Sequence, residues 1–264
     1  MSSSEAKPLG SSGQLAVRFV DVVKTYQLYG DDKGRLLGML GFRGKSYLGE
    51  VNAVDGLSFE IPKGEAVAFL GLNGAGKSTT LKMITGVTYP TSGTVEVNGR
   101  VSALLELAAG FDPQLTGREN IALRGRIMGL SSEEVTELEP GIVDFADLGV
   151  YIDQPLRSYS SGMKARLGFA LAVAVKPDIL VVDEALSVGD RAFRKKCIMR
   201  IREIMKDENV TVLFVTHSNP MAKEFCTRGI VLEHGKNVFD GGIAEAVDFY
   251  EKRVDASRNA QGAN

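Results

Sequence analysis

Cysteine is scarce in this chain of 264 residues, which has two copies, Cys197 and Cys226. They lie far apart in helix-like stretches and lack the spacing of a disulfide framework or a zinc site, so we expect two reduced core residues, as in cytosolic proteins. Long apolar runs are also missing, because the longest, from Gly168 to Val175, is far short of the roughly 20 residues that span a bilayer. If the protein serves a membrane, another chain has to supply the spans.

An excess of charge of one sign is absent too, because the formal net charge is −2. No global basic field would therefore recruit nucleic acid. The first residues, Met1 to Gln14, are rich in Ser and Gly, which predicts a flexible tail over residues 1–14 and no signal peptide. Because 44% of the residues are apolar, the remainder can form one large α/β domain or two small ones.

The stretch from residue 66 to residue 79 contains an apolar run, a glycine-rich turn and Lys77-Ser78 at the start of a helix-like segment. A strand, the pattern G-x-x-x-x-G-K-[ST] and a helix in this order are typical of a phosphate-binding loop. The N–H groups of such a loop converge on phosphates, Lys77 would reach the β- and γ-phosphates, and the Ser78 hydroxyl would bind Mg²⁺. The alternative is a glycine turn without a nucleotide. The candidate nucleotide-binding residues are Gly71, Asn73, Gly74, Ala75, Gly76, Lys77, Ser78 and Thr79.

Two acidic residues, Asp183 and Glu184, directly follow the aliphatic run from Ile179 to Val182. Such a run predicts a central parallel strand, and open α/β sheets bind ligands at the carboxyl ends of these strands. His217 follows the next buried strand, so we expect it at the same edge of the sheet. The alternatives are solvent-exposed acids and a structural histidine.

Two further candidates lie at the ends of predicted elements. Ser160, Ser161 and Gly162 open an apolar helix-like stretch. Their hydroxyl and N–H groups could form a second anion site. The alternative is that Ser160 is an ordinary helix N-cap. Tyr26 follows an early strand and either stacks on a nucleotide base or packs on the sheet.

The remaining pattern predicts how the chain is organised. Capping boxes that begin at Thr116 and Ser131 make the middle third helical, so residues from about 112 to 176 are interpreted as a helical subdomain inserted into an α/β core. Residues 27–49 interrupt the pattern with many glycines, and a loop of this length either folds back as a hairpin or docks on a partner. A final helix from about Ile243 to Arg253 precedes a polar tail.

Taken together, these motifs resemble the nucleotide-binding subunit of ATP-binding-cassette (ABC) transporters over about residues 15–250. The matching motifs are Gly71 to Ser78 as Walker A, Ser160 to Met163 as a variant of the L-S-G-G-Q signature, Leu180 to Glu184 as Walker B with its glutamate, and His217 as the switch histidine. The resemblance implies an α/β P-loop NTPase fold with a mostly parallel core sheet, an N-terminal antiparallel β region and an inserted helical subdomain. The nucleotide-binding domain would span residues 15–250, between tails at 1–14 and 251–264.

The resemblance also assigns roles to the candidate residues. In each subunit the implied contacts are Lys77 with the β- and γ-phosphates of ATP, Tyr26 with the adenine, Ser78 and Asp183 with Mg²⁺, Glu184 with the attacking water and His217 with the γ-phosphate. Ser160, Ser161 and Gly162 would contact the γ-phosphate bound to the other subunit, so the active unit is a homodimer that encloses two ATP molecules. The homodimer would serve two copies of a membrane permease subunit from the cytoplasmic face of the membrane, and the permease would make most contacts with the transported substrate.

Two stretches narrow the resemblance to exporters of lipid-linked polysaccharides. Tyr159 to Leu167 and Asp183 to Asp190 are similar to exporters of teichoic acids, capsules and O-antigens, and residues 27–49 look like the insertion that these subunits carry. Some O-antigen members continue into a carbohydrate-binding domain that this chain does not reach, so teichoic acid is the expected polymer and capsule or O-antigen the alternative. A soluble cassette ATPase that acts on DNA or ribosomes fits less well, because such relatives carry two cassettes or long coiled coils. A P-loop kinase or GTPase would leave the signature and His217 unexplained.

Two positions depart from the family pattern. Glu106 lies where the family has a glutamine before the helical subdomain, and Met163 replaces the signature glutamine. A carboxylate at Glu106 would place a negative charge near Mg²⁺ where the family has a neutral amide. Met163 removes one amide donor but leaves the helix N-terminus in place.

Overall fold

The computed structural model describes residues 14–31, 47–104, 110–183, 189–216 and 218–261. Two β-sheets and the helices packed on them make up this part of the chain. Along the chain the elements are β1 (Leu15–Tyr29), β2 (Tyr47–Pro62), β3 (Ala66–Leu70), α1 (Lys77–Ile84), β4 (Ser92–Val97), β5 (Val101–Ala103), α2 (Gly117–Ile127), α3 (Ser132–Ala146), two 3₁₀ turns (Gly149–Asp153 and Leu156–Ser158), α4 (Ser161–Ala174), β6 (Ile179–Val182), α5 (Arg191–Ile204), β7 (Thr211–Val215), α6 (Asn219–Phe225), β8 (Arg228–Glu233), β9 (Lys236–Gly242) and α7 (Ile243–Gln261).

The larger sheet has the strand order β5-β6-β7-β3-β8-β9. Its neighbouring strands from β5 to β8 are parallel, and β9 pairs with β8 in the antiparallel direction. The smaller sheet has the order β2-β1-β4 and is antiparallel. The predicted fold class, an α/β fold with a mostly parallel core sheet and an antiparallel N-terminal β region, is therefore confirmed.

Strand β3 shows why the core sheet is covered on both faces. Its side chains alternate, so that Ala68 and Leu70 belong to an apolar cluster with α4, α5, α6 and α7. Val67 and Phe69 belong to a second cluster with β1, β2 and α1. A continuous apolar run is typical of a parallel strand that is buried on both faces. The glycine-rich turn therefore leaves a strand that is fixed by packing on both of its faces.

The helices between residues 117 and 174 bury a third apolar cluster of their own. Both predicted capping boxes are confirmed at their N-termini. The Thr116 hydroxyl accepts from the N–H of Glu119 at 3.2 Å, and the Glu119 carboxylate accepts from the N–H of Thr116 at 2.7 Å. Ser131 and Glu134 make the same exchange at 3.1 and 2.7 Å. Each box supplies acceptors to N–H groups that the first helical turn leaves unpaired.

The loop predicted at residues 27–49 is shorter at both ends. Strand β1 continues to Tyr29 and β2 begins at Tyr47, and these two residues pair in an antiparallel register. Pairing of aromatic side chains across the two strands favours strand structure here, although the nearby glycines favour a loop. Residues 32–46 of the predicted insertion lie outside the described residues.

The last helix is longer than predicted. Helix α7 continues to Gln261, so most of the stretch predicted as a polar tail, residues 251–264, is helical. The sequence from Arg253 to Gln261 contains no Gly or Pro that would end a helix, and the next glycine is Gly262. Polar composition alone does not distinguish a solvent-exposed helix from a tail.

Among the described residues, no helix is long and apolar enough to cross a membrane. Cys197 and Cys226 are buried and unpaired, as expected, although Cys226 directly follows α6 and does not lie within a helix. Burial raises the pKa of both thiols to about 12. Both therefore stay protonated and unreactive at neutral pH.

Candidate functional site

The glycine-rich turn leaves β3 at Gly71 and enters α1 at Lys77. Gly71 has a φ angle of 150° and Gly76 one of 102°, which favour glycine. A Cβ atom on Gly71 would also lie 2.4 Å from the carbonyl oxygen of Leu232, and one on Gly76 would lie 2.5 Å from that of Ala53. Both positions exclude a side chain for steric reasons, so the backbone of the turn can approach neighbouring strands and a bound anion closely.

Strands of both sheets support this turn. The N–H of Gly235, between β8 and β9, donates to the carbonyl oxygen of Ala75 at 3.1 Å. The N–H of Asp55 on β2 in turn donates to the carbonyl oxygen of Gly235 at 2.9 Å. The phosphate loop is therefore held by contacts that lie far from it in the sequence.

Lys77 folds back onto the turn. Its ammonium group donates to the carbonyl oxygens of Gly71 at 2.6 Å and Leu72 at 3.0 Å, and the residue is 7% exposed. A positive charge is thus held beside the N-terminus of α1, where the helix dipole adds roughly half a positive charge. Together they favour binding of an anion at this point.

A cavity of about 400 Å³ lies at the turn and the start of α1. Its walls are formed by Ala53, Asn73, Gly74, Ala75, Gly76, Lys77, Ser78, Thr79, Asp183 and Val215. Seven of the eight predicted loop residues therefore line one cavity, together with the acid predicted to bind Mg²⁺. Gly71 lies at the base of the turn instead.

Asp183 reaches this cavity because of the strand order. It directly follows β6, and β7 lies between β6 and β3 with all three strands parallel. The carboxyl ends of these strands lie at the same edge of the sheet, which brings Asp183 and Ser78 to one cavity. Carboxylate and hydroxyl oxygens are ligands that Mg²⁺ prefers. The donor set fits Mg²⁺, and ligation by these two residues stays a prediction.

The predicted signature residues do not line this cavity. Ser160 is the N-cap of α4, and its hydroxyl accepts from the N–H of Met163 at 3.2 Å. Ser160 and Ser161 are exposed. Among the described atoms, the nearest to a Cβ placed on Gly162 is the Ser160 hydroxyl at 3.8 Å. Packing against the described residues therefore does not require glycine at Gly162.

Tyr159 anchors the start of the signature, a role that the sequence did not reveal. Its hydroxyl donates to the carbonyl oxygen of Tyr151 at 2.6 Å. Burial raises the pKa of Tyr159 to about 12, and the charge of Asp153 adds to the increase. The hydroxyl therefore remains a donor at neutral pH and ties the start of α4 to the first of the two 3₁₀ turns, Gly149–Asp153.

Tyr26 lies within β1 and not after its end, because β1 continues to Tyr29. Tyr26 is 40% exposed, and the ammonium of Lys24 lies 5.4 Å from the centroid of its ring. It does not line the cavity at the phosphate loop. Stacking of Tyr26 on adenine stays a prediction.

Three other candidates, Glu184, His217 and Glu106, lie outside the described residues. Strands β6 and β7, which precede Glu184 and His217 along the chain, end at Val182 and Val215. Both ends lie at the edge of the sheet that carries the cavity. The catalytic roles of Glu184 and His217 stay predictions.

Arg166 on α4 is a residue that the sequence reasoning missed. Its guanidinium donates to the Asp190 carboxylate at 2.5 Å and lies 4.7 Å from the centroid of the Phe193 ring. Asp190 begins the helix that follows Asp183 along the chain. No local pattern signals this pair, because its members belong to different elements.

The geometry of this site agrees with comparisons to known families. A family profile described as ABC transporter matches residues 54–187, a range that includes the phosphate loop, the signature residues and Asp183. The chain belongs to the ABC transporter family.

Two known exporter proteins are similar to most of this chain. The teichoic acids export ATP-binding protein TagH of Bacillus anthracis is 46% identical over 237 residues, which cover 89% of this chain and 42% of that protein. The O-antigen export system ATP-binding protein RfbB of Klebsiella pneumoniae is 42% identical over 246 residues, which cover 90% of this chain and 98% of that protein. The chain thus spans less than half the length of the Bacillus relative. Because the O-antigen relative is matched over 98% of its length, the length of this chain does not distinguish teichoic acid exporters from O-antigen exporters, contrary to the expectation from the sequence.

Solved structures share the fold. A dimeric ATP-binding cassette in a post-hydrolysis state, bound to ADP and Pi, matches with a TM-score of 0.68 at 22% identity over 86% of this chain and 98% of that one. An ATP binding subunit of an ABC transporter matches with a TM-score of 0.68 at 23% identity over 87% of this chain and 91% of that one. At these identities the likeness shows the fold alone.

Proposed function

We propose that this chain is the ATP-binding and ATP-hydrolysing subunit of a polysaccharide exporter. The observation that carries the proposal is the convergence of the phosphate loop, Ser78 and Asp183 on one cavity. The cavity combines N–H and ammonium groups for phosphates with oxygen ligands for Mg²⁺, which are the two requirements of Mg²⁺-bound ATP. Glu184 would orient the attacking water and His217 would contact the γ-phosphate. Catalysis then consists of positioning and electrostatic stabilisation.

The active unit that we propose is a homodimer with two ATP molecules at its interface. Ser160, Ser161 and Gly162 lie at the N-terminus of α4, where N–H groups favour an anion, yet they do not line the cavity of their own chain. A role in phosphate binding therefore requires the cavity of a second copy. The lack of a packing reason for Gly162 among the described residues supports a contact of this kind.

The partner that we propose is a separate membrane permease subunit in two copies, which the homodimer of this chain binds at the cytoplasmic face of the membrane. Teichoic acid is the first candidate polymer, supported by the relative that is 46% identical. O-antigen is the alternative, supported by a relative matched over 98% of its length. Capsule is a further alternative that rests on the sequence motifs alone. The permease would make most of the contacts with the polymer.

Purification of the tagged chain from its source cells in detergent tests this function. We expect a hydrophobic partner to be retained and Mg²⁺-dependent ATP hydrolysis to increase when the lipid-linked polymer is added. Depletion of the chain should cause that polymer to accumulate inside the cell, and its chemical analysis would distinguish teichoic acid, O-antigen and capsule. Recovery of nucleic acid or ribosomes without a membrane partner would contradict transport and support a soluble cassette ATPase.

A further inference from the structure

The turn between β8 and β9 has a conformation that its sequence does not favour. Glu233 pairs with Lys236 across the hairpin, which leaves His234 and Gly235 as the two turn residues. Their φ angles are 49° and 78°. Positive φ angles at both positions are typical of a type I′ turn, in which Asn-Gly is a favoured pair. This conformation costs free energy at His234, so contacts from outside the turn have to hold it.

Two ion pairs hold the turn, one on each side. The Glu233 carboxylate, at the end of β8, lies 3.3 Å from the guanidinium of Arg253 on α7. The ammonium of Lys236, at the start of β9, lies 3.1 Å from the carboxylate of Asp55 on β2. The N–H of Asp55 also donates to the carbonyl oxygen of Gly235. The turn is therefore clamped between α7 and the smaller sheet.

The side chain of Arg253 has a firm support on α7. The ring of Phe249 stacks on that of Phe239 in β9, with 5.2 Å between the centroids. The guanidinium of Arg253 lies 5.3 Å from the centroid of the same Phe249 ring. Residues four apart in a helix lie on one face, so the aromatic contact that fixes α7 on β9 also carries the arginine. The positive charge beside Glu233 is thus held by packed rings.

A cavity of about 260 Å³ lies beside the phosphate loop, and the loop, the β8–β9 hairpin and α7 form its walls. Asn73, Gly74 and Ala75 line both this cavity and the nucleotide cavity. Among the described atoms, none lies within 4 Å of a Cβ placed on Gly74. A segment that lines two cavities has few packed neighbours to hold it. Its position therefore depends on the hydrogen bond that Gly235 donates to Ala75.

We infer that Arg253 is a positioning residue for nucleotide binding, which acts through Glu233 and the β8–β9 turn to hold the phosphate loop in its anion-binding conformation. The inference rests on the proposed function, in which that loop binds ATP. The route runs from Arg253 to Glu233, along the turn to Gly235 and across the hydrogen bond to Ala75. The affinity for nucleotide is thereby set in part by α7, a helix that does not line the nucleotide cavity.

Calorimetric titration of the full chain with ATP and with ADP tests this role. Arg253→Glu places two carboxylates together at the end of β8, which should displace the turn. We expect the dissociation constants of both nucleotides to rise about tenfold and in parallel, because the loop binds the phosphates that ATP and ADP share. Exchange of the two charges, in the double variant Arg253→Glu with Glu233→Arg, should return both constants to within about threefold of wild type.

The steady-state kinetics of the complex with its membrane partner provide a second readout. In Arg253→Glu we expect KM for ATP to rise while kcat stays within about twofold of wild type. The phosphate loop binds the nucleotide in the ground state and in the transition state alike, so its displacement removes uniform binding. A merely structural role would not produce this division between KM and kcat.

Lys223→Glu is the matched control. Lys223 on α6 lies 3.4 Å from Asp248 on α7, and its side chain is 44% exposed, against 51% for Arg253. This change also places like charges together at α7, but neither residue of the pair lines either cavity. We expect it to lower the melting temperature as much as Arg253→Glu does. Both nucleotide dissociation constants should stay within about twofold of wild type.

A substitution in the turn tests the same route from its other end. His234→Asn introduces the favoured pair Asn-Gly, so the turn should need less support from α7. Arg253→Met alone should weaken ATP binding about threefold, which is in the range of an exposed ion pair. Arg253→Met combined with His234→Asn should bind ATP as tightly as wild type.

Each outcome decides the inference. It is overturned if Arg253→Glu and Lys223→Glu bind ATP equally well, or if the charge exchange does not restore the affinity. If Arg253→Glu melts too low to assay, Arg253→Met decides, and wild-type affinity in that variant overturns the inference. A wild-type chain that binds no ATP would contradict the proposed function itself, so the two failures are distinguishable.

Discussion

The N–H of Gly235 donates a hydrogen bond to the carbonyl oxygen of Ala75 at 3.1 Å, so the turn between β8 and β9 supports the phosphate loop directly. Gly235 has a φ angle of 78°. A Cβ there would lie 2.8 Å from the Cα of Val54 and 3.0 Å from the carbonyl oxygen of Ala53. The turn, β2 and the loop are packed too closely for a side chain, and a change at the turn must move one of them.

We expect Gly235→Ala to weaken ATP binding by about tenfold, because a displaced turn moves Ala75 and the wall of the nucleotide cavity. Gly86→Ala is the matched control. Gly86 has a similar φ angle of 73°, but among the described atoms nothing lies within 4 Å of an added Cβ. Both variants carry the cost of a positive φ angle, of order 1 kcal/mol, and both should melt lower than wild type. Calorimetric titration with ATP measures the difference, and equal affinities in the two variants would contradict this role of Gly235.

Substitutions at Lys77 and Glu184 should separate binding from hydrolysis. Lys77→Ala removes a charge from the nucleotide cavity, so ATP affinity itself should fall. Glu184→Gln keeps the shape of the side chain but loses the charge that would orient water, so turnover should stop while ATP binding remains and a dimer is trapped. Turnover by Glu184→Gln within a few-fold of wild type, or unchanged ATP affinity in Lys77→Ala, would remove the residue concerned from its role.

Ser161→Arg should abolish ATP hydrolysis by the assembled complex while the isolated chain still binds ATP. Ser161 is exposed at the start of α4, where a bulky cation would block the approach of a second copy and oppose the helix dipole. A mixture of this variant with Lys77→Ala should contain at most one competent site of the two. If the isolated Ser161 variant does not bind ATP, the proposed contact across the dimer is wrong.

Replacement of residues 30–45 by a short Gly/Ser linker should leave folding and ATP binding intact but uncouple export from hydrolysis. Most of this segment lies outside the described residues, but the residues that flank it, Tyr29 and Tyr47, are paired, with their rings 5.8 Å apart in an edge contact. A linker can therefore close the β1–β2 ribbon without disturbing the core. Melting and transport are measured on the same deletion. A large loss of melting temperature in the isolated chain would show that the segment packs on the core and does not dock on the permease.

The ion pair between Lys176 and Asp207 should stabilise the fold at neutral and mildly acidic pH, and this stabilisation should be lost in strong acid. The Lys176 ammonium lies 2.6 Å from Asp207 and, with Asn209, lowers the pKa of that carboxyl from 3.8 to about 2. Because the pKa is lower in the folded state, this contribution is fully present above about pH 4 and is lost as the pH falls towards 2. Asp207→Asn should therefore melt below wild type at neutral pH, and the difference should shrink in acid. A difference that is constant with pH would contradict this assignment.

Features that depend on neighbouring residues in the chain were determined by the sequence itself. The phosphate loop follows from glycines placed between an apolar strand and Lys77, and the capping boxes at Thr116 and Ser131 follow from residue types three positions apart. Asp183 was placed at a strand end because four aliphatic residues precede it. Each of these patterns satisfies local backbone geometry or local hydrogen bonds, so it can be read without knowledge of the rest of the fold.

Contacts between distant segments were decided only by the tertiary structure. The strand order places β7 between β6 and β3 and so brings Asp183 to the cavity of Ser78, whereas the signature residues lie apart from it. The pairing of Tyr29 with Tyr47 and the bond between Arg166 and Asp190 join residues that no local pattern relates. Strand pairing and helix packing are chosen by the burial of whole faces against one another, which makes the partner of a given side chain a property of the complete fold.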